Sequence, residues 1–246
     1  MKIAQVISLL LDYPTEELAE AKQDFLDIIM ASKLAPERKQ NMVDFVEQRF
    51  SGDLMDWQSE YNGLFERGRS LSLLLFEHIH GESRARGQAM VDLLNQYKEA
   101  GLDIGVRELP DYIPLYLEFL STQGEENLVL GLQEVAHILA TLTARLEQRE
   151  SNYAALTNSL LNLSGVEVDM ADIHSQIATE ARDDTNEALD KVWEEEMVTF
   201  GPDSSADGCS TGTNKPAETQ RKDQFVPIQW AEELLKNSEP AAKRGN

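Results

Sequence analysis

Residues 61–120 read YNGLFERGRSLSLLLFEHIHGESRARGQAMVDLLNQYKEAGLDIGVRELPDYIPLYLEFL, and this stretch decides the fold. Apolar residues recur at helical spacing (Tyr61, Leu64, Phe65; then Met90, Val91, Leu94, Tyr97), and no segment alternates with the period of two that a half-buried strand requires. Gly68, Gly81 and Gly101 cut the pattern into short helices. Charged side chains interrupt it where a core would be apolar: Glu66, Arg67, Arg69, Glu77, Glu82, Arg84, Arg86, Glu108 and Asp111. No phosphate loop, nucleophile elbow or metal-ligand set accompanies them. The combination points to a helical groove that binds another polypeptide, not a pocket for chemistry.

Working outward, Ile3, Val6, Ile7, Leu10 and Leu11 make an amphipathic stripe. No small-residue cleavage site follows before Asp12, so the reading is a first helix and not a signal peptide. Thr15 caps a helix running to Met30, and Pro36 opens one that ends at Ser51–Gly52. Leu54–Phe65 is stopped at Gly68, Leu71–Ile79 is short and buried, and Ser83 opens a helix running up to Gly101. Asp111 is a good N-cap for Tyr112–Leu120, with Pro114 tolerated in the first turn. Leu128–Glu150 is the longest periodic segment, followed by Tyr153–Leu163, Asp169–Thr179 and Asn186–Val198. The expected fold is all-α, a single-domain helical bundle of about nine to eleven helices over residues 1–200. From Gly201 the composition turns to Gly, Ser, Thr and Pro, as in a flexible tail over 201–246. Within it FVPIQWAEELLKNSEP carries Phe225, Ile228, Trp230, Leu234 and Leu235, and reads either as a short docking helix or as a frayed segment.

Composition excludes more than it identifies. The chain has 246 residues, 41% hydrophobic, enough for a substantial core, and no apolar run of membrane-spanning length. The net charge is −22; residues 201–246 hold seven acidic and six basic side chains, so −21 of it lies in residues 1–200. Such a field repels nucleic acid and anionic lipid and favours a basic partner, although acidity also simply keeps a helical protein in solution. The single Cys209, with no partner for a disulfide, suggests a reducing compartment and hence the cytoplasm.

Two constellations resemble metal sites. Glu134-x-x-His137 has the spacing of half a helical di-iron centre, but no second copy exists, and a partly buried structural histidine is the simpler reading. His78-x-His80 with Glu82 fails on a continuous helix, because side chains two apart point about 200° from each other. Either histidine is better placed capping the helix C-terminus before Gly81. No metal or cofactor is therefore expected. Glu108, Asp111 and Glu118 gather near one turn, and read either as dipole-stabilising residues or as the acidic rim of a groove for the basic end of an amphipathic peptide.

Tyr61-x-x-Leu64-Phe65-x-x-Gly68, followed by Glu108-Leu-Pro110-Asp111-Tyr112-Ile113, resembles the paired signature of the helical maturation chaperones for molybdenum-containing redox enzymes. The segments RGRSLSLLLFEHIHGESRARGQAMVDLL and EARDDTNEALDKVWEEEMVTF are close to the NarJ branch, the assembly chaperones of respiratory nitrate reductase, with the TorD and DmsD chaperones as sister branches. The resemblance covers roughly residues 1–200 and leaves the tail out.

It implies a non-enzymatic, cytoplasmic, all-helical chaperone. Such proteins bind the apo catalytic α subunit of nitrate reductase, partly through its N-terminal segment and also through a second region. They support insertion of iron–sulfur clusters and the molybdenum cofactor, and delay membrane docking until loading is complete. Proteins of molybdenum cofactor biosynthesis are further implied partners; nucleic acid and membrane insertion are not. Glu108, Pro110 and Asp111 carry over as part of the client-binding signature. Tyr61, Leu64, Phe65, Gly68, Glu77, His78, Tyr112, Tyr116 and Glu118 are further candidates for a helix-in-groove site, with Leu75, Phe76 and Leu115 as additional walls, although most of the apolar ones also read simply as core. The family commonly has His where this chain has Tyr112, so a pH-responsive imidazole at that step does not carry over. Two other classes fit the residues alone: a helical metalloenzyme using His137, and a regulatory or scaffold protein recruited through FVPIQWAEELL.

Overall fold

Ile3, Val6, Ile7, Leu10 and Leu11 are all buried, and they make α1 (Lys2–Leu11) a central strut of the bundle. It packs along α8 (Ile113–Thr122) and touches α3 (Lys22–Ala31) and α11 (Ala154–Ser164). The Ser8 hydroxyl, itself buried, donates to the Pro114 carbonyl at 2.6 Å, which satisfies both groups without water. The computed structural model describes residues 2–80, 84–105 and 108–200. The expected tail, the Ser83 cap, Glu82 and the side chain of His80 lie outside the described residues.

Among the described residues there are thirteen helices and no strand. Besides those named they are α2 (Glu16–Glu20), α4 (Pro36–Ser51), α5 (Leu54–Phe65), α6 (Leu75–His80) and α7 (Arg84–Glu99). The remainder are α9 (Glu125–Glu134), α10 (Ala136–Gln148), α12 (Met170–Ile177) and α13 (Asn186–Phe200). The all-α reading holds. The count exceeds expectation because two helices read as continuous are each broken in two.

Thr15–Met30 divides at Ala21, which turns at φ −87°, ψ 5° and closes back on Leu18. Thr15 sits at the cap position of α2, but its hydroxyl makes no cap bond. Leu128–Glu150 divides at Val135, where the two arms bend by 66°. Tertiary packing explains this break: α9 lies against α8 and α11, whereas α10 must reach both α11 and α12. A straight helix could not bury Leu132 and Leu146, both fully buried, against such different neighbours.

The caps that form include two carboxylates, beside the Thr185 hydroxyl that accepts from Ala188 N–H at the start of α13. Asp53 accepts from the amides of Met55 and Asp56, and Asp169 from those of Ala171 and Asp172. The core is continuous through Phe45, Trp57, Tyr61, Phe65 and Tyr153, whose rings meet mostly edge to face. Trp57 Nε1 donates to the Tyr153 hydroxyl at 2.6 Å. Arg49 lies over the Phe45 and Tyr153 rings at 5.5 and 5.0 Å and ion-pairs with Glu60, tying α4 to α5.

Candidate functional site

The stretch expected as a helix from Leu71 becomes helical only at Leu75. Leu71–Leu74 is instead an irregular segment that pairs briefly with residues 111–113: Leu74 bridges Tyr112, Leu75 N–H donates to Asp111 O at 2.9 Å, and Ile113 N–H donates to Leu73 O at 2.8 Å. The second half of the signature is thus stitched to the segment that follows the first.

Asp111 does not cap its own helix. Tyr112 occupies the N-cap position of α8, and no side chain bonds there. The Asp111 carboxylate is fully buried and turns to α6, where Oδ2 accepts from Phe76 N–H at 3.1 Å. Arg86 approaches it at 4.0 Å and pairs with Glu77 at 3.2 Å. Burial pushes the Asp111 carboxyl above its ordinary range, opposed by the Phe76 amide and Arg86. A residue with no exposed surface cannot touch a partner, so Asp111 shapes the site from behind.

Tyr112 donates to Asp12 Oδ1 at 2.9 Å, and its oxygen lies 3.2 Å from that of Tyr61, which is 3.1 Å from Leu11 O. Three short contacts share two hydroxyl protons, so the pair locks the end of α1 against α5 and the 108–112 segment. Burial raises the pKa of both tyrosines far above the ordinary phenol range. Pro110 is buried, and its carbonyl accepts from the Tyr97 hydroxyl at 2.7 Å.

Gly68 turns with φ +80°, a conformation only glycine adopts without strain. A side chain there would also collide with a neighbour: its Cβ would lie 2.7 Å from Asp183 Cγ. The Asp183 carboxylate fills that space and collects hydrogen bonds. Oδ2 accepts from the amides of Arg69 (2.6 Å) and Ser70 (2.7 Å), and Oδ1 from the Ser70 hydroxyl (2.6 Å) and Arg149 Nη2 (3.1 Å). Arg145 adds a bond to Ser70 O at 2.9 Å while pairing with Glu180.

These walls enclose an open cleft of about 520 Å³, lined by Tyr61, Phe65, Glu66, Gly68, Arg69, Ser72, Leu73, Leu74, Glu77, Glu108, Leu109 and Tyr112. Six of the residues expected to bind a client line it: Tyr61, Phe65, Gly68, Glu77, Glu108 and Tyr112. The others do not. Leu64 is half-buried against the core, Pro110 and Asp111 sit behind the wall, and Leu75, Phe76 and Leu115 pack inward. Tyr116 is buried with its hydroxyl on Gly131 O at 3.1 Å. Glu118 borders a different groove, with Lys2, Gln5 and Leu9. Of the three acidic rim candidates only Glu108 lines the cleft, because the first turn of α8 faces the core and Asp111 precedes that helix.

His78 does not cap a helix C-terminus. Helical side chains lean toward the N-terminus, and its Nε2 donates to Ser72 O at 2.8 Å, beneath the cleft wall. Burial, reinforced by Arg145, holds its pKa below the usual imidazole range against the opposing Ser72 carbonyl and Glu77, so it is neutral at pH 7. His137 is exposed, not partly buried, and the break at Val135 separates it from Glu134. No group of three or more metal-binding side chains converges among the described residues. Glu66, Arg69, Ser72, Leu73, Leu74 and Leu109 were missed as lining residues, and so was the support from Asp183, Arg145 and Arg149. No periodicity or local motif in the sequence pointed to that support.

The cleft is apolar on its floor (Phe65, Leu73, Leu74, Tyr112) and carries Glu66, Glu77 and Glu108 against Arg69. It can hold an apolar face with basic neighbours; it offers no nucleophile–base pair. No single helix among the described residues is long and apolar enough to cross a membrane.

The family model described as nitrate reductase delta subunit matches residues 12–158. The nitrate reductase molybdenum cofactor assembly chaperone NarJ of Escherichia coli K12 is 49% identical over 205 residues, covering 83% of this chain and 86% of that one. The probable nitrate reductase molybdenum cofactor assembly chaperone NarW of the same organism is 47% identical over 215 residues, 87% and 90% of the two chains. The probable NarJ chaperone of Bacillus subtilis is 30% identical over 155 residues, 63% and 84%. With its fold, its signature segments and these relatives in agreement, the chain belongs to the nitrate reductase delta subunit family.

Proposed function

We propose that this protein is a nitrate reductase molybdenum cofactor assembly chaperone and not an enzyme, acting in the cytoplasm on the apo catalytic α subunit. The observation that carries the reading is the cleft between the Gly68–Leu74 turn and the 108–112 segment, with its apolar floor and acidic rim, in a chain 49% identical to a protein of that name. An N-terminal client segment forms an amphipathic helix and lays its apolar face on Phe65, Leu73, Leu74 and Tyr112. Glu66 and Glu108 steer its basic residues, which raises the association rate more than the affinity. Holding the client open in this way supports iron–sulfur and molybdenum cofactor insertion and delays membrane docking. Proteins of molybdenum cofactor biosynthesis meet the client while it is held.

The test is a pull-down with the full chain from cells lacking the membrane anchor subunit. Recovery of an α subunit without its cofactors is the expected result. Failure to retain any immature molybdoenzyme subunit would sink the proposal, as would turnover of a small molecule by the isolated chain.

A further inference from the structure

The wall of the cleft formed by residues 66–74 has little regular structure of its own. Between the end of α5 and the start of α6, the amides of Arg69 and Ser70 find their acceptor in one carboxylate, that of Asp183, more than a hundred residues downstream. The Ser70 hydroxyl gives a third bond and Arg149 a fourth. Burial by itself would raise the pKa of this carboxyl, but the bonds from Ser70 and Arg69 outweigh it and hold the group below the usual carboxylate range. The charged form is therefore the one that fits.

Three features make this a fastening and not an incidental contact. Gly68 leaves the volume the carboxylate occupies, since any Cβ there would overlap Asp183. Arg149, whose side chain is 6% exposed, reaches both Asp183 (3.1 Å) and Asp184 (3.6 Å), so α10 clamps the same strap. Arg182 pairs with Asp184 at 2.6 Å within the strap itself, holding its turn together. None of Arg149, Asp183 or Asp184 lines the cleft, whereas Gly68, Arg69, Ser72, Leu73 and Leu74 do.

We infer that Asp183 is a positioning residue for the cleft: the 180–184 strap, through that one carboxylate, sets where the Gly68–Leu74 wall stands and so whether the cleft admits its client helix. The inference rests on the cleft being the client site. A longer side chain cannot replace it, because the space left by Gly68 fits a carboxylate one methylene from the backbone. Asparagine can replace it in part, since its oxygen still accepts from the two amides, but its NH2 group faces the Arg149 guanidinium, donor against donor.

The experiment compares the full chain with Asp183→Ala, Asp183→Asn, Gly68→Ala and the Asp183→Ala/Gly68→Ala double variant. Binding of a synthetic peptide from the client α subunit's N-terminus is measured beside far-ultraviolet helicity and amide hydrogen exchange. Asp183→Ala is expected to weaken binding about tenfold or more with helicity unchanged, and to accelerate exchange selectively at Arg69 and Ser70. Asp183→Asn should recover most of the affinity. Gly68→Ala should cost less in the Asp183→Ala background than alone, because the carboxylate it would strike is gone and only the strain of its positive φ remains. If Asp183→Ala misfolds, the Asn variant and the exchange at residues 69–70 carry the decision. Wild-type affinity in Asp183→Ala, or strictly additive Gly68 and Asp183 effects, overturns the positioning role alone. A wild-type chain that ignores the peptide overturns the client site itself, and the positioning role with it.

Discussion

The carboxylate of Asp111 caps the helix that begins at Leu75, accepting from Phe76 N–H at 3.1 Å, although 35 residues separate the two. An acidic residue that reads as the start of its own helix thus serves a neighbouring one. This places the 108–112 segment against the 71–76 segment and fixes both walls of the cleft.

Asp111→Asn and Asp111→Ala should therefore part company. Asparagine keeps an acceptor for Phe76 N–H and removes a buried charge, so its stability at pH 7 should equal or exceed wild type. Alanine orphans the amide and should cost about 1–3 kcal/mol. The folded pKa is raised above the unfolded value, so the favourable contribution of the wild-type carboxyl is complete below the ordinary carboxylate pKa and lost as pH rises through the folded value. The advantage of Asn over Asp should widen from acid toward neutral pH in urea titrations. Equal stabilities for Ala and wild type would dispose of the cap.

Tyr61, Tyr97, Tyr112, Tyr116 and Tyr153 all have pKa values raised by burial far above the phenol norm. Their neutral forms stabilise the fold below pH ~10, and that contribution falls as pH climbs above the unfolded value. Tyrosinate absorbance for these five should appear together with loss of helicity. Gradual ionisation in a still-helical protein would contradict their burial.

Arg49 stacks on two rings and bonds Glu60 and Asn152. Its side chain is 7% exposed against 44% for Glu60, so most of its worth lies in packing. Arg49→Ala should cost about 2–4 kcal/mol, and Glu60→Gln less than about 1 kcal/mol, because a half-exposed partner is screened by water. Chemical denaturation of both variants checks the order, and a larger loss for Glu60→Gln would reverse the argument.

Reversing Glu66 and Glu108 to Lys should slow association with a client peptide and flatten its dependence on ionic strength, while helicity stays unchanged, since both are exposed. Stopped-flow mixing at two salt concentrations reads this directly. Unaltered association would remove the steering role. The same reversal at Asp111 is expected to unfold the region instead, because it buries a cation beside Arg86.

The helical periodicities in the sequence matched the fold well wherever burial followed the stripe, as in α1, α4, α5 and α11. They failed at Ala21 and at Val135; at Val135 different neighbours on the two sides of the break overrode local propensity. Half of the expected binding residues line the cleft. Tyr116 and Glu118 fell away because helical phase places them toward α9 and toward a groove beside α1. Asp183 was illegible for another reason: a carboxylate seated against a glycine over a hundred residues away leaves no periodic trace.

Trp57 is 5% exposed and bonded to Tyr153, while Trp193 on α13 is 67% exposed. Among the described residues these two indoles are optical gauges in opposite surroundings; the third tryptophan, Trp230, lies outside the described residues. Iodide should quench emission from Trp193 and spare Trp57, so a chain with Trp193→Phe and Trp230→Phe would report melting of the aromatic interior alone. The converse chain, with Trp57→Phe and Trp230→Phe, would make α13 report any partner that covers it.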